Sequence, residues 1–224
     1  MKLVSVNLGR PRSVASTDQP EGLTGIDKRP VDGPVRVAAP GPQGVGASGV
    51  AGDAVCDLRF HGGDDQAVYA FAREDLDAWE RELDRRLPNG SFGENLTTEG
   101  LDVSGARIGE RWRIGPEVVL EVTSGRIPCR TFQEHLGERG WVRRFTRQGA
   151  PGAYLRVIAP GEIQVGDPVE IVHRPGHDIT VALQFRASTT ERHLLPRLLA
   201  AGEALHPGVA RTAREYAREH ASGN

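Results

Sequence analysis

Cysteine, lysine and long apolar runs are all scarce in this sequence, and each scarcity excludes a class of protein. Two cysteines in 224 residues do not make a disulfide scaffold, and no Cys-x-x-Cys pair is present for zinc or an iron–sulfur cluster. No apolar run approaches the roughly 20 residues that span a bilayer. The start, Met1 to Asn7, is too short and too polar for a secretory signal. We therefore expect a cytoplasmic protein with reduced thiols and no membrane partner.

The charge pattern gives no sign of a nucleic-acid partner. The formal net charge is −2, the estimated pI is 6.4, and the basic residues are spread along the chain rather than clustered. Lys2 and Lys28 are the only lysines, and neither lies in a motif that would support a pyridoxal phosphate site. We therefore expect a small-molecule partner.

Two familiar patterns are interpreted as incidental. The glycines of 44–49 match Gly-x-Gly-x-x-Gly, but prolines precede them and no helical periodicity follows, so the pattern indicates a flexible loop. His173 and His177 are four positions apart, with Pro175 and Gly176 between them. They cannot share a helix face as zinc ligands would.

The turn-forming residues favour short strands. There are 28 glycines and 15 prolines against six phenylalanines, three tyrosines and three tryptophans. Residues 9–29 are predicted to be a loop. Strands are predicted at 2–8, 34–37, 55–60, 67–71, 107–114, 118–122, 154–158, 163–168 and 169–172. Many short strands with one or two helices favour a mainly β protein with helices, built as a β-barrel or closed sheet.

The clearest helix has Leu76, Trp79, Leu83 and Leu87 on one face. Acidic residues begin it, Arg85 and Arg86 are placed in its last turn, and 88–90 ends it. After residue 177 the chain becomes rich in Ala, Leu, Arg and Glu, with a break at 207–208. We predict a β domain over 1–173 and a helical extension over 178–224.

Cys129 lies in the most informative segment, Gly125-Arg126-Ile127-Pro128-Cys129-Arg130. It directly follows a proline at the end of an apolar run and is flanked by Arg126 and Arg130. Flanking cations favour the thiolate, which attacks carbon or binds metal. The alternative is a buried structural cysteine, because free cysteine usually behaves as a small hydrophobic residue.

Two further segments can present a ligand with polar groups. His61-Gly62-Gly63 ends the predicted strand 55–60, and its glycines allow a close approach of the backbone to a ligand. In 91–96, Gly93 is followed by the carboxylate of Glu94 and the amide of Asn95, which suit a polar heterocycle. The alternatives are an ordinary glycine turn with a surface histidine, and a capped turn leading into 97–100.

These segments, taken in order, resemble a known family. Phe60-His61-Gly62-Gly63, Phe92-Gly93-Glu94-Asn95-Leu96 and Arg126-Ile127-Pro128-Cys129 are similar to the pattern of MOSC domains, named for the molybdenum cofactor sulfurase C-terminal domain. More closely, the chain resembles stand-alone bacterial MOSC proteins that reduce N-hydroxylated purines. The likeness covers roughly 25–172, with 28–37 and 154–161 in support. It implies a MOSC-type β-barrel, and the tail resembles the three-helix extension of that subgroup.

The resemblance also implies a site. Cys129 is expected to be the protein ligand of molybdenum in a bound molybdopterin cofactor, and a catalytic residue. Arg126 and Arg130 are expected to stabilise its thiolate and bind the cofactor's phosphate. His61 is expected to hydrogen-bond the cofactor or relay a proton, with a pKa near the working pH. The remaining cofactor-binding residues are expected to be Gly62, Gly93, Glu94 and Asn95.

The function that the resemblance implies is a molybdenum-dependent oxidoreductase. It would reduce N-hydroxylated compounds such as hydroxylaminopurine to amines, a detoxification. No flavin, haem or iron–sulfur motif is recognisable, so a separate electron-donor protein is implied. The alternative is a non-catalytic carrier of molybdenum cofactor, or of sulfur as a Cys129 persulfide, and a scaffold without cofactor is a third reading. A homodimer is left open. Cys56 departs from the subgroup's pattern and is interpreted as a packing residue, with a redox partner as the alternative.

Overall fold

A computed structural model describes residues 1–14, 17, 19 and 21–221. Residues 15, 16, 18 and 20 of the predicted loop and 222–224 of the predicted extension lie outside the described residues. The strands are β1 Lys2–Gly9, β2 Arg12–Ser13, β3 Leu23–Thr24, β4 Lys28–Pro30, β5 Val35–Val37, β6 Val68–Ala72, β7 Leu96–Glu99, β8 Arg111–Ile114, β9 Val118–Gly125, β10 Ala153–Ala159, β11 Gly161–Ile163 and β12 Val169–His173. The α-helices are α1 Arg73–Leu83, α2 Arg130–Leu136, α3 Trp141–Gln148, α4 Val181–Thr189 and α5 Pro207–Ala221. Two 3₁₀ segments are Asp64–Gln66 and Arg192–Ala204.

Eight strands form one mixed sheet in the order β12-β8-β9-β10-β6-β7-β1-β4. β6 and β7 are parallel neighbours joined through α1, and the other neighbours are antiparallel. The start of β1 reaches the start of β12, where the Leu3 amide donates to the Asp167 carbonyl at 2.9 Å and Lys2 bridges Pro168. A mainly β fold with helices is confirmed.

The predicted closed barrel is corrected. Among the described residues no continuous ladder joins the edge strands β12 and β4, so the sheet is curved and open. The contact between the start of β1 and the start of β12 is one bridge and a few backbone hydrogen bonds. β1 pairs instead with β7 from Lys2 and with β4 from Asn7.

One apolar cluster joins the sheet to the C-terminal helices. Trp112 and Leu120 of the sheet are fully buried in the same cluster as Val181 of α4 and Leu198 of the second 3₁₀ segment. Thr180 caps α4, accepting a hydrogen bond from the Leu183 amide at 3.1 Å. The boundary between a β domain and a helical extension stays a prediction.

A second, aromatic cluster lies under the three helices next to the sheet. Trp79 of α1, Phe132 of α2, and Trp141 and Phe145 of α3 surround Phe92, with Phe92 and Phe132 centroids 5.2 Å apart in an edge-on arrangement. Such aromatic pairs are worth about 0.5–1.5 kcal/mol each beyond the area they bury. The cluster also contains Tyr69 and Phe71 of β6, so it holds α2, and with it Cys129, against the sheet.

The predicted helix is confirmed but ends earlier than expected. α1 buries Leu76 and Trp79, and Asp84 ends it in the left-handed region at φ 50°. Arg85 and Arg86 therefore lie beyond the helix. Arg73 explains the early end, because its guanidinium donates to the carbonyl of Leu87 at 2.9 Å and folds the following segment back over the helix start.

The predicted strand 55–60 is wrong. Its backbone forms a turn in which the His61 amide donates to the Asp57 carbonyl at 3.0 Å. The apolar residues of this turn follow the same pattern as a short strand. The pattern alone does not show whether the backbone pairs with another strand. The sequence interpretation also missed α2, α3, β7 and the short strands inside 9–29.

Candidate functional site

The register of the sheet aligns a row of residues across five strands and the residue before β7. Tyr154 of β10 lies opposite Ser124 of β9 on one side and Tyr69 of β6 on the other. The Asn95 amide donates to the Tyr69 carbonyl at 2.8 Å, and the Asn7 amide donates to the Asn95 carbonyl at 2.7 Å. Lys28 follows on β4, opposite Gly9. The row therefore brings the C-terminal end of β9 and the first residue of β4 into line with the loop before β7.

Cys129 lies directly before α2, and residues 126–128 separate it from the end of β9 at Gly125. It is the residue before the first helical position, with extended backbone (φ −128°, ψ 173°), and its carbonyl accepts from the Gln133 amide at 3.1 Å. Pro128 is buried, and the half-buried Cys129 packs against the aromatic cluster. The thiol is therefore held on a short ordered connection between a strand and a helix.

A cleft of about 430 Å³ opens in front of this thiol, and we call it the Cys129 cleft. Its wall includes Lys28, Asp53, Cys56, Phe60, His61, Gly62, Gln66, Tyr69, Gly93, Asn95, Arg126, Ile127, Cys129 and Tyr154. The fold thus brings together segments that lie far apart in the sequence. Six of the eight predicted site residues lie on this wall, and Glu94 and Arg130 do not.

Arg126 is the buried cation of the cleft. Its side chain is 7% exposed, its guanidinium carbon lies 4.2 Å from the Phe132 ring centroid and 5.2 Å from that of Tyr69, and it donates to the Phe92 carbonyl. Among the residues that the structure describes, no carboxylate forms an ion pair with it. A buried charge is costly without a partner, so this guanidinium favours an anion in the cleft.

Arg130 takes a different position from Arg126. It is the first residue of α2, is exposed and does not line the cleft. Its predicted contact with a cofactor phosphate stays a prediction.

Glu94 and Asn95 are bonded within the protein. The fully buried Glu94 carboxylate accepts from the amides of Gly90 at 2.6 Å and Phe92 at 3.0 Å and from the Thr97 hydroxyl at 2.9 Å. Burial raises the pKa of Glu94, and these hydrogen bonds oppose that rise. Glu94 thus holds the loop that carries Gly93, and direct contact with a ligand would require these bonds to be exchanged.

The Asn95 side chain reaches the cleft wall but is also engaged. Its Nδ2 donates to Asp53 Oδ2 at 2.9 Å, and its Oδ1 accepts from the Tyr69 amide at 3.1 Å. Gly93 lies beside Arg126 at φ 72°, and a Cβ there would stand 3.2 Å from the Arg126 Nη1. Glycine at 93 therefore leaves room for the buried guanidinium.

His61 lines the cleft as a neutral imidazole. Burial, followed by the positive charge of Arg126, lowers the pKa of His61 to about 4. The expectation of a pKa near the working pH is thus corrected, and His61 carries no stored proton at neutral pH. Gly62, at φ 78°, lets the chain pass against the loop 41–49, because a Cβ there would lie 2.5 Å from the Ala47 carbonyl oxygen.

Sequence reasoning missed a buried ion pair in the cleft wall. Lys28 pairs with Asp53, which also accepts from the Gly9 amide at 2.7 Å and from Asn95. Burial lowers the pKa of Lys28, and Asp53 opposes that fall. The available signal was compositional, because Lys28 is one of only two lysines and lies in a segment that supports the family resemblance.

Gln66 is a second cleft residue that the sequence did not single out. It ends the 3₁₀ segment Asp64–Gln66, and its buried Oε1 has no hydrogen-bond partner within the part of the chain that the structure describes. An unsatisfied buried acceptor of this kind is rare and favours a donor from a bound molecule or water. No sequence pattern marks it, since it follows the glycine turn as an ordinary polar residue.

Cys56 shares the cleft with Cys129 and is not part of either apolar cluster. Burial raises the pKa of Cys56, and the nearby charge of Lys28 opposes that rise. The thiol form is thus favoured at this position. Both cysteines are free.

A second depression of about 470 Å³ lies elsewhere, lined by Met1, Asp102, Arg107 and Arg174 among others. Arg174 is paired with Glu110 at 2.8 Å, and Arg107 donates to the Pro175 carbonyl at 2.7 Å. None of the predicted site residues lies there, and its charges are already satisfied. The chemistry is therefore sought in the Cys129 cleft.

Comparison with known proteins identifies the family. The model of the MOSC domain matches residues 57–170. YflK of Bacillus subtilis (strain 168), described as an uncharacterized protein, is 34% identical over 184 residues, which cover 82% of this chain and 79% of that protein. The chain belongs to the MOSC domain family, and the resemblance stated from the sequence is confirmed.

Other relatives agree with this assignment. Protein YiiM of Escherichia coli (strain K12) is 33% identical over 136 residues, 59% of this chain and 60% of that protein. A protein of Gibberella moniliformis named "Reductase" is 31% identical over 176 residues. The aligned part covers 77% of this chain but only 29% of that protein. The crystal structure of YiiM from Geobacillus stearothermophilus superposes with a TM-score of 0.76 at 26% identity, covering 96% of this chain and 98% of that one.

The described residues contain neither a membrane-spanning helix nor a cluster of metal-ligating side chains. No helix in the described part of the chain is long and apolar enough to cross a membrane. Nor do residues 1–14, 17, 19 and 21–221 contain a group of three or more His, Cys, Asp or Glu side chains placed to hold a metal ion.

Proposed function

We propose that this protein is an oxidoreductase that binds molybdenum cofactor in the Cys129 cleft and reduces N-hydroxylated compounds of the hydroxylaminopurine type to amines. The observation that carries the proposal is the combination in one cleft of a half-buried thiol and a buried arginine that pairs with no carboxylate of the described residues. Membership of the MOSC family and a relative named "Reductase" support it.

The residues present fit the cofactor. Cys129 supplies a soft thiolate, which suits a metal already held by sulfur ligands. Arg126 supplies a buried guanidinium for an anionic group such as a phosphate. Gln66 supplies an unpaired acceptor for an N–H group of the kind a pterin carries. The cleft thus offers a complement to each part of the cofactor: metal, phosphate and heterocycle.

The proposed reaction is R–NH–OH + 2 e⁻ + 2 H⁺ → R–NH₂ + H₂O, in which the N–O bond breaks. When bound, the cofactor supplies a two-electron centre that accepts oxygen from the substrate. Cys129 holds that centre to the protein, and Arg126 balances negative charge beside it. The electrons come from a separate donor protein, and we place the reaction in the cytoplasm, where both thiols stay reduced.

His61 is proposed to orient the bound substrate rather than to donate a proton to it. Because its pKa is lowered to about 4, it is neutral at pH 7 and can donate through one ring nitrogen and accept through the other. The protons are therefore assigned to solvent, which reaches the open cleft. Lys28 and Asp53 form a rigid charged wall behind the substrate and hold Asn95 in place.

The second candidate is a carrier of cofactor or of sulfur as a Cys129 persulfide. The half-buried state of Cys129 supports it, since a sulfur donor needs access to the thiol. A carrier requires the same thiol and guanidinium but no turnover.

The test begins with protein purified from a molybdenum-replete host. We expect about one molybdenum and one pterin per chain, and reduction of hydroxylaminopurine with an artificial electron donor. Cys129→Ala should lose the metal and the activity, whereas Cys56→Ala, in the same cleft, should retain both. Full activity in Cys129→Ala would refute the ligand assignment. Bound cofactor without turnover on any N-hydroxylated compound would favour the carrier.

A further inference from the structure

We infer that Phe60 and Ile127 form an apolar clamp at the mouth of the Cys129 cleft, which selects flat heteroaromatic N-hydroxylated substrates over aliphatic ones. The inference rests on the proposed function and adds to it the residues that determine specificity. Phe60 supplies a ring on which a flat substrate stacks, and Ile127 covers the substrate from the segment that carries the thiol.

Both side chains are exposed where burial would be expected. Phe60 is 62% exposed and Ile127 is 48% exposed, and both lie on the cleft wall. The other exposed large apolar side chains of the described residues do not line this cleft; they are Met1, Val45, Val142, Ile158, Val165 and Val172. Two exposed apolar groups at one cleft indicate a surface that an apolar ligand covers.

Both side chains lie on the same cleft wall as His61 and Cys129 and are near them in the sequence. Phe60 directly precedes His61, and Ile127 lies between the buried Arg126 and the buried Pro128, two positions before Cys129. The turn that carries Phe60 is closed by the His61 amide donating to the Asp57 carbonyl at 3.0 Å. A substrate held by these side chains would therefore lie beside both the thiol and the imidazole.

Arg59 lies over one face of the Phe60 ring. The Arg59 guanidinium carbon lies 5.2 Å from the Phe60 ring centroid, and its Nε and Nη2 each donate to the Asp57 carboxylate at 2.8 Å. The cation occupies one face of the ring and is itself held by Asp57. The opposite face suits a flat, electron-poor heterocycle, which stacks on an aromatic ring whichever base it carries.

This arrangement separates two classes of N-hydroxylated compound. A purine ring can cover Phe60 and Ile127 together, whereas a small aliphatic amidoxime covers too little apolar surface to gain from either. Base–aromatic stacking typically changes affinity by about tenfold or more. The clamp should therefore act on KM for purine substrates and leave the chemical step, and kcat, largely unchanged.

The first test measures binding without turnover. The cofactor-loaded protein is titrated with 2-aminopurine, whose fluorescence is quenched when it stacks. Phe60→Ala should weaken binding about tenfold, and Phe60→Tyr should restore most of it, since it retains the ring. Ile127→Ala should weaken binding by a smaller factor, and Val165→Ala, an exposed apolar residue away from the cleft, is the matched control. Absence of quenching in the parent protein, or equal binding by Phe60→Ala, would overturn the clamp.

The second test compares hydroxylaminopurine with acetamidoxime as substrates. Phe60→Ala should raise KM about tenfold for the purine and change KM less than twofold for the aliphatic compound. An equal change for both substrates would refute selection by stacking. Molybdenum content is measured on each variant, so that loss of cofactor is not mistaken for loss of substrate. If neither compound is reduced but 2-aminopurine binds through Phe60, the reductase proposal fails and the clamp stands.

Discussion

At the scale of single residues, the most unusual atom of the cleft is the Gln66 carbonyl oxygen. It is buried, has no hydrogen-bond partner among the described residues, and lies on the wall of the Cys129 cleft. A buried unsatisfied polar group costs about 1–3 kcal/mol. We expect the ligand-free protein to bear this free-energy cost at a position where a bound ligand supplies the missing hydrogen-bond donor.

We therefore predict opposite effects of Gln66→Met on stability and on cofactor binding. The substitution keeps the side-chain length and removes the unpaired carbonyl, so the ligand-free protein should gain about 1 kcal/mol in free energy of unfolding. The same variant should retain less molybdenum per chain after gel filtration. Urea unfolding and metal analysis measure the two effects.

Gln164→Met, on an exposed glutamine, is the control and should change neither quantity. A less stable ligand-free Gln66→Met protein with full metal content would show that Gln66 already has a partner, such as water, and is structural.

At the scale of elements, α1 contains a charge conflict in its first turn. Carboxylates there normally favour the helix dipole. Burial, followed by repulsion from Asp102 and Glu74, nevertheless raises the pKa of Asp75 to about 6. The folded state therefore prefers the protonated form, and the ionised form costs stability above pH 6.

Replacing Asp75 with Asn should stabilise the protein at pH 8 by about 1 kcal/mol, because the ionised carboxylate is removed. The gain should shrink as pH falls from 6 towards 3.8, where the parent side chain becomes neutral in both states. Urea unfolding at pH 8 and pH 4 measures the difference. Asp77→Asn on the same helix should give no gain, since it removes the 2.7 Å ion pair with Arg73. A gain that is the same at both pH values would contradict the electrostatic explanation.

At the scale of the whole molecule, buried histidines set the response to acid. Burial is the main cause that lowers the pKa of His61, His135 and His206 from 6.5, that of His61 to about 4. Between pH 6.5 and 4 these histidines therefore bind protons more readily in the unfolded chain than in the folded protein. The free energy of unfolding should fall as pH falls through this window.

His61→Gln tests the largest of these contributions. The parent protein should lose more stability than the variant between pH 7 and pH 4.5, by the order of 2 kcal/mol. Comparing the variant with the parent cancels the opposite contribution of Asp75. His173→Gln, at an exposed position, should follow the parent. Identical pH profiles for parent and His61→Gln would place the acid sensitivity elsewhere.

The sequence alone determined those features that depend on residues close together in the chain. The segments 60–63, 92–96 and 126–129 are each contiguous, and together they were sufficient for the family. The apolar face of α1 repeats within a few positions and was sufficient for the helix. The strand 55–60 and the closed barrel were wrong because strand pairing depends on partners that are distant in the sequence. The short helices α2 and α3 are each held by aromatic packing that no single segment contains.

Only the tertiary structure decided which polar groups remain available to a ligand. Glu94 and Asn95 have the composition of a binding pair, but their hydrogen bonds go to the 90–92 loop, Thr97, Asp53 and Tyr69. Gln66 looks ordinary in the sequence and has an unpaired oxygen in the cleft. The reason is physical: a side chain's hydrogen-bond capacity is shared among all neighbours, and the fold selects those neighbours from strands far apart in the chain.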